Sequence, residues 1–215
     1  MSRENNLKVT RFTSSLIACN LYLLENSEGE VIIDPAVEYE RVFEKREERL
    51  KGIILTHCHF DHLLALETYL KKSDCPVYLH EAGLEKLNDP EKNASSLINQ
   101  DWRFPIPKER MVIIESDTTH HLLGKTFRFL ETPGHASCAL CIIVDDYLFT
   151  GDTLFKGAVG RTDLVSSDSK AMRKSLDKLY ALADDYSVYP GHGDKTNLNY
   201  EKNTNPFLKW SLGNV

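Results

Sequence analysis

The sequence predicts a mixed α/β chain whose functional groups lie just past the ends of strands. Three observations lead there. Apolar runs of strand length recur, among them Gly52-Ile53-Ile54-Leu55 and Cys141-Ile142-Ile143-Val144. Helical spacing of apolar residues appears between them, as in Met172, Leu176, Leu179 and Leu182. Histidine and aspartate follow several strand-like runs, each next to glycine or proline.

The elements follow in order. Lys8 to Thr13 and Ala18 to Leu24 alternate as strands, Asn26-Ser27-Glu28-Gly29 is a turn, and Val31-Ile32-Ile33-Asp34 is the next strand. The charged stretch Glu38 to Leu50 places Val42, Phe43 and Leu50 on one helix face. A strand over 52–55 is followed by a helix over 61–72, a strand at Pro76 to His80 and a short helix over 81–87. Asn88 to Pro107 is polar and carries Pro90, Pro105 and Pro107, so it reads as loop. Met111 to Ile114, Thr126 to Leu130, Ala139 to Val144, Tyr147 to Phe149 and Ser187-Val188 are strands. Ser169 to Ala183 is a helix, and Asn203 to Trp210 a short closing one. At 215 residues the chain is expected to form a single domain over 1–215.

The densest chemical signal is Thr56-His57-Cys58-His59-Phe60-Asp61-His62. His57 and His59 are two apart, so in extended backbone they leave the same face. Asp61 and His62 fall in the expected first helical turn and aim elsewhere. Two pairs directed at neighbouring points suit two cations better than one. A lone histidine is usually a hydrogen-bonded structural residue, and a lone aspartate at a helix start is a cap. Four such groups in six residues exceed what capping or packing explains. Cys58 lies between two of them, and alternation turns it away from both.

Three more groups sit after strands: His135 in Thr132-Pro133-Gly134-His135, Asp152 in Phe149-Thr150-Gly151-Asp152-Thr153, and His192 in Tyr189-Pro190-Gly191-His192-Gly193. A rigid sheet can converge such loops on one point. The set THCHFDH, TPGH, GDTLF and YPGHG, in this order over most of the chain, resembles the metallo-β-lactamase superfamily. GDTLF, GRTD (Gly160-Arg161-Thr162-Asp163) and PGHG, with Glu201 ahead of Asn205-Pro206-Phe207, look closest to its glyoxalase II (hydroxyacylglutathione hydrolase) branch. Within that branch they are similar to short forms lacking the C-terminal helical domain.

The resemblance implies a four-layer αββα sandwich, two mixed sheets flanked by helices. It implies that His57, His59 and His135 hold one metal, that Asp61, His62 and His192 hold a second, and that Asp152 bridges them. The flavodiiron branch has glutamate where His59 stands, so His59 argues against a redox di-iron site. Zinc is the first expectation, because imidazole with carboxylate suits it; iron and manganese also fit the branch. Two divalent ions sharing a water would give a bridging hydroxide at neutral pH. That implies hydrolysis of a thioester of hydroxyacylglutathione type, or of a related ester, with Asp61 also orienting the hydroxide. Asp34 resembles an aspartate that supports a metal-binding histidine; as a turn residue before Pro35 it has an ordinary reading too. Arg161 stands where the branch has a basic residue on the glutathione carboxylate, and Lys156 is a weaker candidate for the same task. His80, His120 and His121 match no motif.

Composition sets bounds. The net charge of −6 gives little pull on nucleic acid. No apolar run approaches the ~18–20 residues of a membrane span, and residues 1–6 have no signal-peptide core. Five cysteines, an odd number, suit reduced thiols in a cytoplasmic protein. Cys138-Ala139-Leu140-Cys141 lies in an expected strand, where residues three apart face opposite sides, so a redox pair is not expected. Oligomeric state is left open. Three other readings stand beside the hydrolase: a persulfide dioxygenase holding a single iron through His57, His135 and Asp152, a nuclease, and a metal-binding protein without turnover. The nuclease needs a basic face that this acidic chain lacks.

Overall fold

The computed structural model describes residues 6–44 and 48–209. Two six-stranded sheets lie face to face. The first runs β1 (Lys8–Thr13), β2 (Asn20–Asn26), β3 (Gly29–Ile33), β4 (Leu50–Ile54), β5 (Val77–His80) and β6 (Met111–Ile114), in sequence order. β1, β2 and β3 pair antiparallel; β3 to β6 pair parallel. Helices α1 (Tyr39–Phe43) and α2 (Leu66–Lys72) lie in the crossovers.

The second sheet contains β7 (Thr118–Leu122), β8 (Lys125–Glu131), β9 (Leu140–Val144) and β10 (Tyr147–Gly151). After the small hairpin β11 (Leu154–Phe155) and β12 (Ala158–Val159) comes helix α3 (Ser169–Tyr180). Then β13 (Ser187–Pro190) and β14 (Thr196–Asn197) complete the sheet in the order β14-β13-β10-β9-β8-β7. Helices α4 (Leu198–Thr204) and α5 (Pro206–Lys209) follow.

Strand alternation makes the layers. On β2, Tyr22 and Leu24 face the second sheet, while Leu21 and Leu23 face α1 and α2 with Val42, Phe43, Leu66 and Tyr69. On β9, Leu140, Ile142 and Val144 point inward, and Cys141 and Ile143 outward against Met172, Leu176 and Leu179 of α3. Both faces of each central strand are buried, which explains the continuous apolar runs. The architecture is the αββα sandwich the resemblance implied.

Several local expectations are corrected. Leu50 is not helical: α1 ends at Phe43 and Leu50 opens β4, paired with Glu30. Residues 45–47 of that expected helix lie outside the described residues. The helix expected over 61–72 begins only at Leu66. Asp61 and His62 lie in a separate 3-10 turn, Phe60–His62, entered from extended backbone at His59. The N–H of Phe60 goes to Asn93 O, and that of Ala65 to Pro35 O where a helix from 61 would have used Asp61 O. Residues 81–83 make one 3-10 turn instead of a helix over 81–87, and Ser95–Ile98 makes another within the expected loop. β7, β14 and the β11–β12 hairpin were not anticipated. Cys138 is in a turn before β9, not in the strand. The closing helix is two short ones, with Trp210 outside the described residues.

Topology brings the functional loops together. β3 and β4 are parallel, so their C-terminal ends share one edge. β10 and β13 are parallel, and β8 has the same direction because β9 runs against both β8 and β10. The N–H of Leu140 reaches across to Thr56 O at 2.8 Å and sews the two sheets together at that edge.

Candidate metal centre

At this edge the seven residues singled out from sequence converge. His57 and His59 come from the loop after β4, Asp61 and His62 from the 3-10 turn, His135 from the loop after β8, Asp152 from that after β10 and His192 from that after β13. The ligand atoms of His57, His59 and His135 all lie within 4.8 Å of one another. Those of Asp61, His62 and His192 do the same, joined by Cys19, and those of His57, His62 and Asp152 form a group between them.

Close packing of backbone makes this possible. Gly191 N–H donates to Gly151 O at 2.8 Å, and Asn20 N–H donates to Gly191 O at 2.7 Å. A Cβ on Gly191 would lie 2.3 Å from Asp152 Oδ1, inside any permitted contact. Gly151 has φ +47°, and a Cβ there would meet Thr56 Oγ1 at 2.5 Å.

Hydrogen bonds at the outer ring nitrogens orient the imidazoles. His135 Nδ1–H donates to Arg161 O at 3.0 Å, leaving Nε2 as a lone-pair donor 2.9 Å from His59 Nδ1. His62 Nδ1–H donates to Asp34 Oδ2 at 2.8 Å. Asp34 also accepts Thr56 N–H and Thr56 Oγ1–H, both at 2.7 Å, and Thr56 Oγ1 lies 3.1 Å from His57 Nδ1. Asp34 therefore steadies histidines, as the resemblance implied, from a backbone at φ +55°. Asp152 lies centrally, with Oδ1 3.4 Å from His62 Nε2 and Oδ2 3.4 Å from His135 Nε2 and 3.6 Å from His192 Nε2. His192 Nε2 is 3.1 Å from Asp61 Oδ2.

The electrostatics divide the site. Burial, then neighbouring imidazoles, holds His57 well below the usual histidine range, and burial takes His59 down to about 3. Burial opposes charge on His62 as well, but Cys19, Asp61, Asp34 and Asp152 outweigh it and raise its pKa. His192 is raised against burial by Asp61 and Asp152. Burial pushes the Cys19 thiol up to about 12.

The donor set fits divalent cations on a structural test. Among the described residues, the buried atoms His57 Nε2, His62 Nε2 and Asp152 Oδ1 make no hydrogen bond, although each faces its neighbours' ligand atoms. Unsatisfied buried polar atoms are costly, at about 1–3 kcal/mol each. Three on facing ligands are explained by cations between them.

Comparison with known proteins agrees. The family model described as "Metallo-beta-lactamase superfamily" matches residues 15–192. The chain belongs to the metallo-β-lactamase superfamily. It is 32% identical to the probable metallo-hydrolase YqgX of Bacillus subtilis, covering 94% of this chain and 98% of that one. It is 33% identical to the hydroxyacylglutathione hydrolase GloC of Haemophilus influenzae, again over 94% and 98%. Among solved structures it is similar to the BLEG-1 B3 metallo-β-lactamase (TM-score 0.85, 30% identity, 94% of this chain and 99% of that). It is also similar to TTHA1623 in a di-iron-bound form (TM-score 0.81, 35% identity, 93% and 100%). The superfamily binds divalent metals, and metal-dependent hydrolysis is the class of reaction these relatives point to.

The other candidates lie apart. Arg161 has an exposed side chain paired with Asp163 at 2.6 Å, and contributes its carbonyl to His135. Lys156 is exposed beside Lys195 and Tyr200, away from the cavity that Arg161 lines. Cys58 is buried in the core beneath the loop, with its thiol against Cys138. His80 pairs with Glu131 at 2.7 Å. Cys19 is the residue the sequence reading missed: one cysteine on a hairpin has no spacing to a partner motif.

Proposed function

We propose that the chain is a dinuclear metal-dependent hydrolase acting on thioesters of hydroxyacylglutathione type. The observation that carries this is the convergence of six donor residues into two adjoining groups, with Asp152 in a third group between them and three of these buried atoms unbonded among the described residues. His57, His59 and His135 would hold one ion and Asp61, His62 and His192 the other, with Asp152 between them. When bound, two divalent ions supply an activated water and a Lewis acid for the carbonyl. Asp61, whose carboxylate reaches toward His192, orients the attacking water. Arg161 O and Asp34 keep His135 and His62 in the tautomers that present Nε2 inward. A thiolate leaves without a strong acid, so no further proton donor is required.

Zinc suits imidazole and carboxylate donors, with iron as the main competitor and manganese behind it. A cavity of about 680 Å³ beside the His135 loop has Arg161, Lys170, Arg173 and Lys174 in its wall, Arg161 being paired with Asp163, and this basic lining supports an anionic substrate group. This placement favours Arg161 over Lys156 as a substrate contact. GloC, by its name, acts on such a thioester. The free cysteines accord with a cytoplasmic setting. His192 in the glyoxalase-like Pro190-Gly191-His192-Gly193 favours the hydrolase over the single-iron dioxygenase.

The test is metal analysis of the purified protein together with a panel of S-lactoylglutathione, an acyl-coenzyme A, a neutral acyl thioester and a β-lactam. Hydrolysis of S-lactoylglutathione, abolished by chelator and restored by zinc, is expected. Oxygen uptake on glutathione persulfide with no thioester cleavage would replace this reading with the dioxygenase.

A further inference from the structure

We propose that Cys19 is a sulfur ligand of the second cation, completing the group of Asp61, His62 and His192. This rests on the metal reading of the site. β2 runs antiparallel to β3, so its first residues lie at the same edge as the C-terminal loops. The chain enters that edge through Ala18, a non-glycine residue at φ +56°, and then turns Cys19 inward. Cys19 forms an isolated antiparallel bridge with His192 itself, and its carbonyl accepts the N–H of Ser14 at 2.8 Å. Its position against the second group is thus fixed by main chain on both sides. The side chain is fully buried, at 0% exposure. Its sulfur lies within 4.8 Å of the ligand atoms of Asp61, His62 and His192.

A second observation points to a cation here. His62 Nε2 is fully buried, faces this group, and makes no hydrogen bond among the described residues. The Cys19 sulfur makes a long contact of 3.9 Å to Asn20 O and also interacts with the His62 side chain, so it faces the second group directly. Cys19 adds a sulfur to one oxygen and two nitrogens, a donor mix that suits zinc, and Asp152 and a water would add to these four at a catalytic ion. The other thiols are built elsewhere: Cys58, Cys75 and Cys138 belong to the core under α1 and α2, and Cys141 to the core under α3.

The exchange balances simply. The S–H bond breaks, a metal–sulfur bond forms, and the proton passes to solvent. A thiolate is a soft donor, so the second position selects zinc, cobalt(II) or iron(II) over manganese(II) and magnesium(II). The all-imidazole group of His57, His59 and His135 favours the same borderline metals but has no sulfur to give a charge-transfer band.

Cobalt(II) titrated into the metal-free full-length chain tests this without reference to activity. An intense near-ultraviolet sulfur-to-cobalt charge-transfer band is expected, absent from Cys19→Ser and retained in Cys58→Ser. Zinc affinity at the second position should fall at least about tenfold in Cys19→Ser, with manganese affinity nearly unchanged. Two bound cobalt ions without that band in the wild-type chain would overturn the proposal and leave the dinuclear site standing. Persistence of the band in Cys19→Ser would also overturn it. Failure to bind any cobalt would bring down the metal reading as well.

Discussion

The two donor groups, less than one side chain apart, are built on opposite electrostatic terms. His57, His59 and His135 are imidazoles only, at 1%, 3% and 5% exposure. Burial and mutual repulsion keep His57 and His59 uncharged, so a cation enters without displacing protons. The second group mixes carboxylate, imidazole and thiol, and its carboxylates hold His62 and His192 toward the charged form. The His192 side chain is also 26% exposed. Here a cation must displace protons, and solvent has access. One loop, 57–62, serves both groups. What differs is what the opposite sheet brings to each: His135 to the first and His192, behind Cys19, to the second.

The strongest way to break this comparison is His57→Ala. It removes a donor of the first group beside His62, and should lower thioester hydrolysis by more than about a hundredfold, beyond the loss typical of an outer-shell partner. Steady-state kinetics with added zinc checks it. His192→Gln should affect only the second group, lowering metal content from two equivalents to one by elemental analysis. Asp34→Asn keeps shape but weakens the carboxylate's hold on His62, and should cost about 10–100-fold in metal affinity, measured by chelator competition. The pH dependence sharpens the contrast further. Because His62 and His192 are raised, affinity for the second equivalent should increase from pH 6 to pH 8 more steeply than for the first.

The smallest effect concerns metal-free stability. His59 is depressed to about 3 in the folded chain from 6.5, so the unfolded chain takes up its proton first as pH falls. Stability from this residue is therefore present above about 6.5 and lost on acidification. At pH 5 the loss is about 2 kcal/mol. Metal-free His59→Gln should accordingly lose less melting temperature than wild type between pH 7 and pH 5, by calorimetry in chelator.

Much of this was legible in the sequence because strand ends and glycines carry position. Gly151 and Gly191 mark where backbone must pass close to Thr56 and Asp152, and each directly precedes a donor. The continuous apolar run 141–144 marked a strand covered on both faces. Less legible were features decided by distant backbone. The helix after His62 starts late, and the Ala65 N–H that a helix from 61 would give to Asp61 O goes instead to Pro35 O. Leu50 looked helical because its spacing from Val42 and Phe43 fits one face, yet strand pairing with Glu30 claims it. Cys19 could not be found, since its partners lie 42 or more positions away and only the hairpin's return to the edge unites them. Spacing suggested the pairs His57 with His59 and Asp61 with His62, while the assignment of His135, Asp152 and His192 to them came from the family resemblance.

Anomalous diffraction from zinc-grown crystals tests the central claim most directly. Two peaks are predicted, one among His57, His59 and His135 and one among Asp61, His62 and His192, with Asp152 between them. A single peak, or none at full zinc occupancy of the medium, would contradict it.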